Sequence, residues 1–129
     1  MTLPKGKYYV GDPCYLLESK DYDTLVEAIC AEDTNKIQKV FKDFKMYVHS
    51  TRFGDGVYAS NIKTAFFVDS GMLGCFKINI KSLTKEKFKN LERLGAFIEF
   101  EKDFTATYEN GIFIFDNITI DTNYYAVVS

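Results

Sequence analysis

The chain has 129 residues, of which 47% are hydrophobic, 16% aromatic and 26% charged, and its 16 basic against 18 acidic side chains leave a formal net charge of −2. This is the length of one domain, taken as residues 1–129, and it is too rich in aromatic residues for a disordered segment. The sequence has no uncharged apolar run of the ~18 residues a membrane helix needs, and a pI near 5.4 argues against generic nucleic-acid binding, which draws on excess Lys and Arg.

Lys7–Val10 (KYYV) reads as a strand rich in β-formers, broken by the turn residues Gly11-Asp12-Pro13. Cys14–Leu17 reads as a short apolar continuation. Asp21–Ala31 reads as a helix with Leu25, Val26 and Ile29 on one face. A second helix is expected after Asp33 or Thr34, because Ile37, Val40, Phe41 and Phe44 form an apolar stripe at helical spacing. The period then shortens. Met46–Thr51 and Val57–Ala59 read as two strands of a hairpin around Gly54-Asp55-Gly56. Thr64–Val68 and Cys75–Ile80 are further strands, separated by Asp69-Ser70-Gly71 and Gly74. Thr84 reads as the cap of a third helix, with Leu83 and Phe88 placed for a hydrophobic staple and Gly95 as its terminator. The tail reads as strands at Ala96–Phe100, Phe104–Tyr108, Gly111–Phe115, Ile118–Thr122 and Tyr124–Val128, with Asn110-Gly111 as a tight hairpin turn. The expected fold is α+β: a mostly antiparallel, strongly curved sheet, barrel- or sandwich-like, with two helices inserted early and one late.

Cys14, Cys30 and Cys75 are odd in number and form no CxxC pair, and His49 is the single histidine. A metal centre of the zinc type would need an unusual ligand set. The first twenty residues hold no secretory apolar region, so free thiols in the cytoplasm, with no cofactor, are expected. His49 and Ser50 are adjacent on a strand and point to opposite faces, which excludes them as a base and nucleophile pair. No catalytic residue is assigned.

The chemistry concentrates in three glycine-acid turns: Gly11-Asp12-Pro13, Gly54-Asp55-Gly56 and Asp69-Ser70-Gly71. Each sits where a strand ends. Taken singly, each is ordinary turn chemistry, with Asp bonding its own backbone and Gly accepting positive φ. If the fold brings them together, they form a ligand-binding set: Tyr9, Gly11, Asp12, Pro13 and Tyr15; Arg52, Gly54, Asp55, Gly56 and Tyr58; Asp69, Ser70 and Gly71. Backbone nests in such turns bind anions, and Tyr rings stack on bases. Asp12, Asp55 and Asp69 could instead hold a divalent cation for phosphoester hydrolysis.

The ordered pattern Gly11-Asp12-Pro13-Cys14-Tyr15, Gly54-Asp55-Gly56-Val57-Tyr58 and Val68-Asp69-Ser70-Gly71-Met72-Leu73-Gly74 resembles a family of small, uncharacterised phage and bacterial proteins. The resemblance implies a small cytosolic β-rich protein, phage-borne, and carries no activity with it. The expected function is a non-catalytic binding protein that sequesters a small phosphorylated or nucleotide-like ligand against host defence. The alternative is an inhibitor that binds a host protein, such as a defence enzyme or nuclease. A homo-oligomer is expected for either, because a small aromatic-rich sheet leaves apolar surface to cover.

Overall fold

The computed structural model describes residues 1–30 and 45–126, the side chains of 28–30 apart. The second helix expected from the stripe Ile37 to Phe44 lies outside the described residues, as does the end of the Tyr124–Val128 strand. Ten strands and three α-helices are present among the described residues. The strands are β1 (Thr2–Leu3), β2 (Gly6–Gly11), β3 (Met46–Ser50), β4 (Gly56–Ser60), β5 (Ala65–Val68), β6 (Met72–Lys77), β7 (Ala96–Phe100), β8 (Phe104–Glu109), β9 (Ile112–Phe115) and β10 (Ile118–Tyr125). The helices are α1 (Pro13–Leu16), α2 (Ser19–Cys30) and α3 (Lys85–Leu94).

The architecture is α+β, and every strand pair is antiparallel. The strands divide between a six-stranded sheet, β1-β8-β9-β10-β4-β5, and a four-stranded sheet, β3-β6-β2-β7. Neither sheet closes on itself or curls strongly, which corrects the expected strongly curved, barrel-like form. Closure is not required here, because the four-stranded sheet buries residues on both faces.

Strand alternation divides those faces. Tyr8, Val10, Leu73 and Cys75 join Tyr58, Phe66, Phe104, Phe113, Phe115 and Ile120 of the six-stranded sheet in one apolar cluster. Tyr9, Met46 and Phe76 point the other way, into a second cluster with Leu25 of α2 and Leu91 of α3. The run Tyr8-Tyr9-Val10 is therefore buried throughout. It reads as a continuous apolar segment because its strand is covered on both sides.

Several local expectations hold. α3 is capped by Thr84, whose hydroxyl accepts from Lys87 N at 3.1 Å. Asn110 (φ 52°) and Gly111 (φ 82°) turn β8 into β9, as an Asn-Gly hairpin requires. Others are corrected. Cys14–Leu17 is no extended continuation: Asp12 caps a helical turn there, and Pro13 at its first position supplies a pre-set φ. Gly95 ends α3, but with an extended backbone, φ −160°. Its requirement is close approach, since a Cβ there would lie 2.4 Å from Val10 O. The expected strand Ile118–Thr122 and the start of the expected Tyr124–Val128 are one strand, β10, whose register against β4 shifts between Ile120 and Tyr125.

The hairpin expected from Met46–Thr51 and Val57–Ala59 does not form. β3 pairs with β6 in one sheet, and β4 pairs with β5 and β10 in the other. Gly54-Asp55-Gly56 is thus a crossover between sheets, and so is Asp69-Ser70-Gly71, which joins β5 to β6. The turn residues are the same in either use, and only long-range pairing separates them.

Candidate functional site

The topology brings the three turns to one pole. Ser50, the last residue of β3, pairs with Met72, the first of β6, and Gly56, the first of β4, pairs with Val68, the last of β5. The two crossovers leave the same pair of ladder ends and run side by side. β2 then lies on β6 with Gly11 opposite Gly74, which sets Asp12 beside the second crossover.

Asp12 is the centre of this arrangement. It is fully buried. Its Oδ2 accepts from Asp69 N at 2.7 Å and Ser70 N at 2.8 Å, and its Oδ1 accepts from Cys14 N at 2.8 Å and the Ser70 hydroxyl at 2.6 Å. Four donors converge on one carboxylate, which is how a buried charge is made tolerable. The backbone nest of the Asp69–Gly71 turn is therefore filled by an anion from within the chain.

A second set of bonds carries the order on to the first crossover. Thr51 N donates to Gly71 O at 2.9 Å. The Thr51 hydroxyl and the Tyr58 hydroxyl both donate to Gly54 O, at 2.6 and 2.8 Å. Arg52 N donates to Thr122 Oγ1 at 3.1 Å, and that hydroxyl donates to Gly111 O. Asp55 Oδ1 and the Gly54 Cα lie just beyond the position a Cβ on Gly71 would take.

The residues singled out from the sequence thus separate into two groups. Asp12, Tyr15, Asp69, Ser70 and Gly71 come together with Gly54 and Asp55. Tyr15, half-buried, donates its hydroxyl to Asp69 Oδ2 at 2.5 Å, and Tyr22 of α2 sets its phenol beside Ser70. Burial, then the bond to Asp69, raises the Tyr15 phenol above its ordinary range. Tyr9, Gly11, Pro13 and Tyr58 are buried and present no side chain to a ligand. The Tyr9 hydroxyl is spent on Leu91 O at 3.1 Å, within the helix-side cluster. Arg52, Asp55 and Asp69 are exposed, and Gly56 is half-buried.

Sequence reasoning missed Phe53, Thr51, Thr122 and Tyr125. Among the described residues Phe53 is 55% exposed, Tyr125 59% and the neighbouring Tyr124 75%, while the remaining Phe and Tyr rings are buried or half-buried. The Arg52 guanidinium sits 5.9 Å from the Phe53 ring centre. Tyr125 stacks on Tyr58 with ring centres 5.6 Å apart, close over Gly56. An aromatic residue beside a Gly-Asp-Gly turn was a readable signal for Phe53. Thr122 carries none, since Arg52 lies 70 positions away, whereas the Thr51 hydroxyl bonds Gly54 O three positions on, a local turn contact.

The chemistry available is limited by these bonds. Both oxygens of Asp12 are occupied by N–H and O–H donors, so it has no free pair for a cation. Among the described residues no group of three or more His, Cys, Asp or Glu side chains is placed to hold a metal ion. The Asp12-Asp55-Asp69 ligand set therefore does not form. Burial, then the bond and charge of Asp12, pushes the Cys14 thiol up to about 12. It stays protonated at neutral pH, whereas a nucleophilic cysteine needs its thiolate. His49 is exposed, stacks on Tyr108 at 3.9 Å between ring centres and contacts Ser50 O through Nδ1.

Compared with protein-family models, with curated proteins and with solved structures, the chain matches none.

Proposed function

We propose that this chain is a non-catalytic binding protein whose recognition surface is the pole where the three turns meet, and that its partner is a protein. The observation that carries this reading is the surface that the buried bonds leave outside: Phe53 and Tyr125 exposed beside Arg52 and Asp55, with Asp69 exposed and Tyr15 half-exposed alongside. Aromatic residues and Arg are the side chains that dominate protein interfaces energetically. Asp55 and Asp69 add negative charge, which fits a partner with a basic face. In the phage setting implied by the sequence pattern, a host nuclease or other nucleic-acid-handling defence enzyme has such a face.

The small phosphorylated ligand receives less support at this site. The N–H groups of Asp69 and Ser70 that would cradle a phosphate already donate to Asp12. A second anion would also meet Asp55 and Asp69.

The experiment has two arms. In the first, the protein is used as bait in host lysate, beside variants Phe53→Ala and Asp55→Lys at the pole and Thr107→Lys on an exposed site of β8. A partner retained by the wild type and by Thr107→Lys but lost with the two pole variants supports the reading. Equal recovery with all four chains removes it. In the second arm, melting is followed with nucleotides and nucleotide second messengers in excess. A ligand that binds only the folded state raises the melting temperature, and a clear rise reinstates the small-ligand function in place of the protein partner.

A further inference from the structure

Buried polar side chains are costly unless fully bonded, so their location shows where a fold spends polar bonds on geometry. Among the described residues there are three: Asp12 at 0% exposure, Thr51 at 7% and Thr122 at 0%. All three act on the same pole. Asp12 ties the Asp69–Gly71 crossover, Gly71 O receives Thr51 N, and the Thr51 and Thr122 hydroxyls tie the Arg52–Asp55 crossover.

The last two bonds bracket one residue. On its N-terminal side, Arg52 N is held by Thr122 Oγ1. On its C-terminal side, Gly54 O accepts two hydroxyls, from Thr51 and Tyr58. Between them stands Phe53, with its ring in solvent. An exposed crossover would ordinarily be among the more mobile parts of a domain. Here its backbone is fastened from beneath on both sides of the one ring it displays.

We infer that Thr51 and Thr122 are positioning residues that hold Arg52–Asp55 as a preformed recognition loop, with Phe53 as its fixed anchor. A preformed loop loses little freedom on binding, which raises affinity without any new contact. The purpose assigned to the loop rests on the proposed protein partner. Its order is a property of the free protein and is measured without one.

The chain contains no tryptophan, so Phe53→Trp introduces a single selectively excited reporter at the anchor. Time-resolved fluorescence anisotropy of that variant is expected to follow tumbling of the whole molecule, with local nanosecond wobble a minor share of the decay. Adding Thr51→Val or Thr122→Val, each close in shape but lacking the hydroxyl, is expected to at least double the wobble amplitude. Thr51→Ser and Thr122→Ser, which keep the hydroxyl, are expected to restore it. Wobble that dominates before any threonine is changed overturns the inference, as do Val variants that behave like their Ser counterparts. A measurement on the unsubstituted protein guards against variants that fail to fold. The Arg52 amide is expected to exchange its hydrogen at least a hundred-fold slower than in an unstructured peptide, and exchange at the peptide rate overturns the inference. An ordered loop on a protein that captures no partner leaves this inference standing and removes the proposed function instead.

Discussion

Asp12 and Cys14 are two residues apart and show how one local environment sets two chemistries. The Asp12 carboxylate is surrounded by four donors, and the neighbouring thiol faces burial and that same negative charge. Asp12→Ala leaves three backbone N–H groups and the Ser70 hydroxyl without their acceptor. We expect a loss of about 3 kcal/mol or more in urea-unfolding free energy. A variant as stable as the wild type would mean that water serves those donors equally well. The thiols give a pH dependence with a definite sign. Cys14 and Cys75 ionise near 9 when unperturbed and near 12 in the fold, with burial the leading cause for both. Above pH 9 the unfolded chain has released protons that the folded chain still holds, so stability falls as pH rises. The contribution is intact below about pH 9 and is lost progressively as the pH climbs toward 12. Melting temperatures measured across that range should decline, and Cys14 should react slowly with iodoacetamide at pH 8. Rapid alkylation of the folded protein at Cys14 would contradict the thiol's assigned state. Of these two residues the sequence marked Asp12 as a turn former. That it is a buried acceptor for Asp69 and Ser70 depends on groups 57 and 58 positions away.

Elements whose reasons are local were legible, and those whose reasons are remote were not. The cap at Thr84 and the Asn110-Gly111 turn each follow from residues within a few positions. Thr84→Ala should therefore cost about 1 kcal/mol, the usual effect of losing an N-cap, measured by chemical denaturation. Gly95 was legible as a stop, but the reason for it was not. Because the space for a Cβ is taken by Val10 O at 2.4 Å and the Tyr9 hydroxyl at 2.6 Å, Gly95→Ala should lower stability by more than Thr84→Ala does. The reverse order would show that α3 can withdraw from β2 at little cost. The misread hairpin has the same origin. Met46–Ser50 and Gly56–Ser60 carry strand signals on either side of a turn, and nothing within that stretch says they belong to different sheets. The separation lies in long-range pairing: β3 pairs with β6 and β4 with β10, both outside that stretch of sequence.

At the scale of the molecule, two crossovers between two sheets create the pole that the proposed function uses. A double substitution tests whether that pole acts as one surface. Phe53→Ala with Asp69→Lys should abolish capture of the protein partner while the melting temperature stays close to wild type, since both side chains lie largely in solvent. Capture that survives would move the interface elsewhere, and a collapse in melting temperature would show that Phe53 packs or that the Tyr15–Asp69 bond carries stability, which the two single variants separate. By itself the sequence determined the α+β class, most strand positions and the chemistry of three turns. Hydrophobic period and turn propensity act over a few residues, and those signals survive without any knowledge of the fold. Tertiary structure alone decided that the turns meet, that Asp12 is turned inward to fill the nest an anion would have used, and that Phe53 stands outside on a fastened loop. Those outcomes depend on ladder ends and hydrogen bonds joining residues as much as 70 positions apart, where no local pattern in the chain can register them.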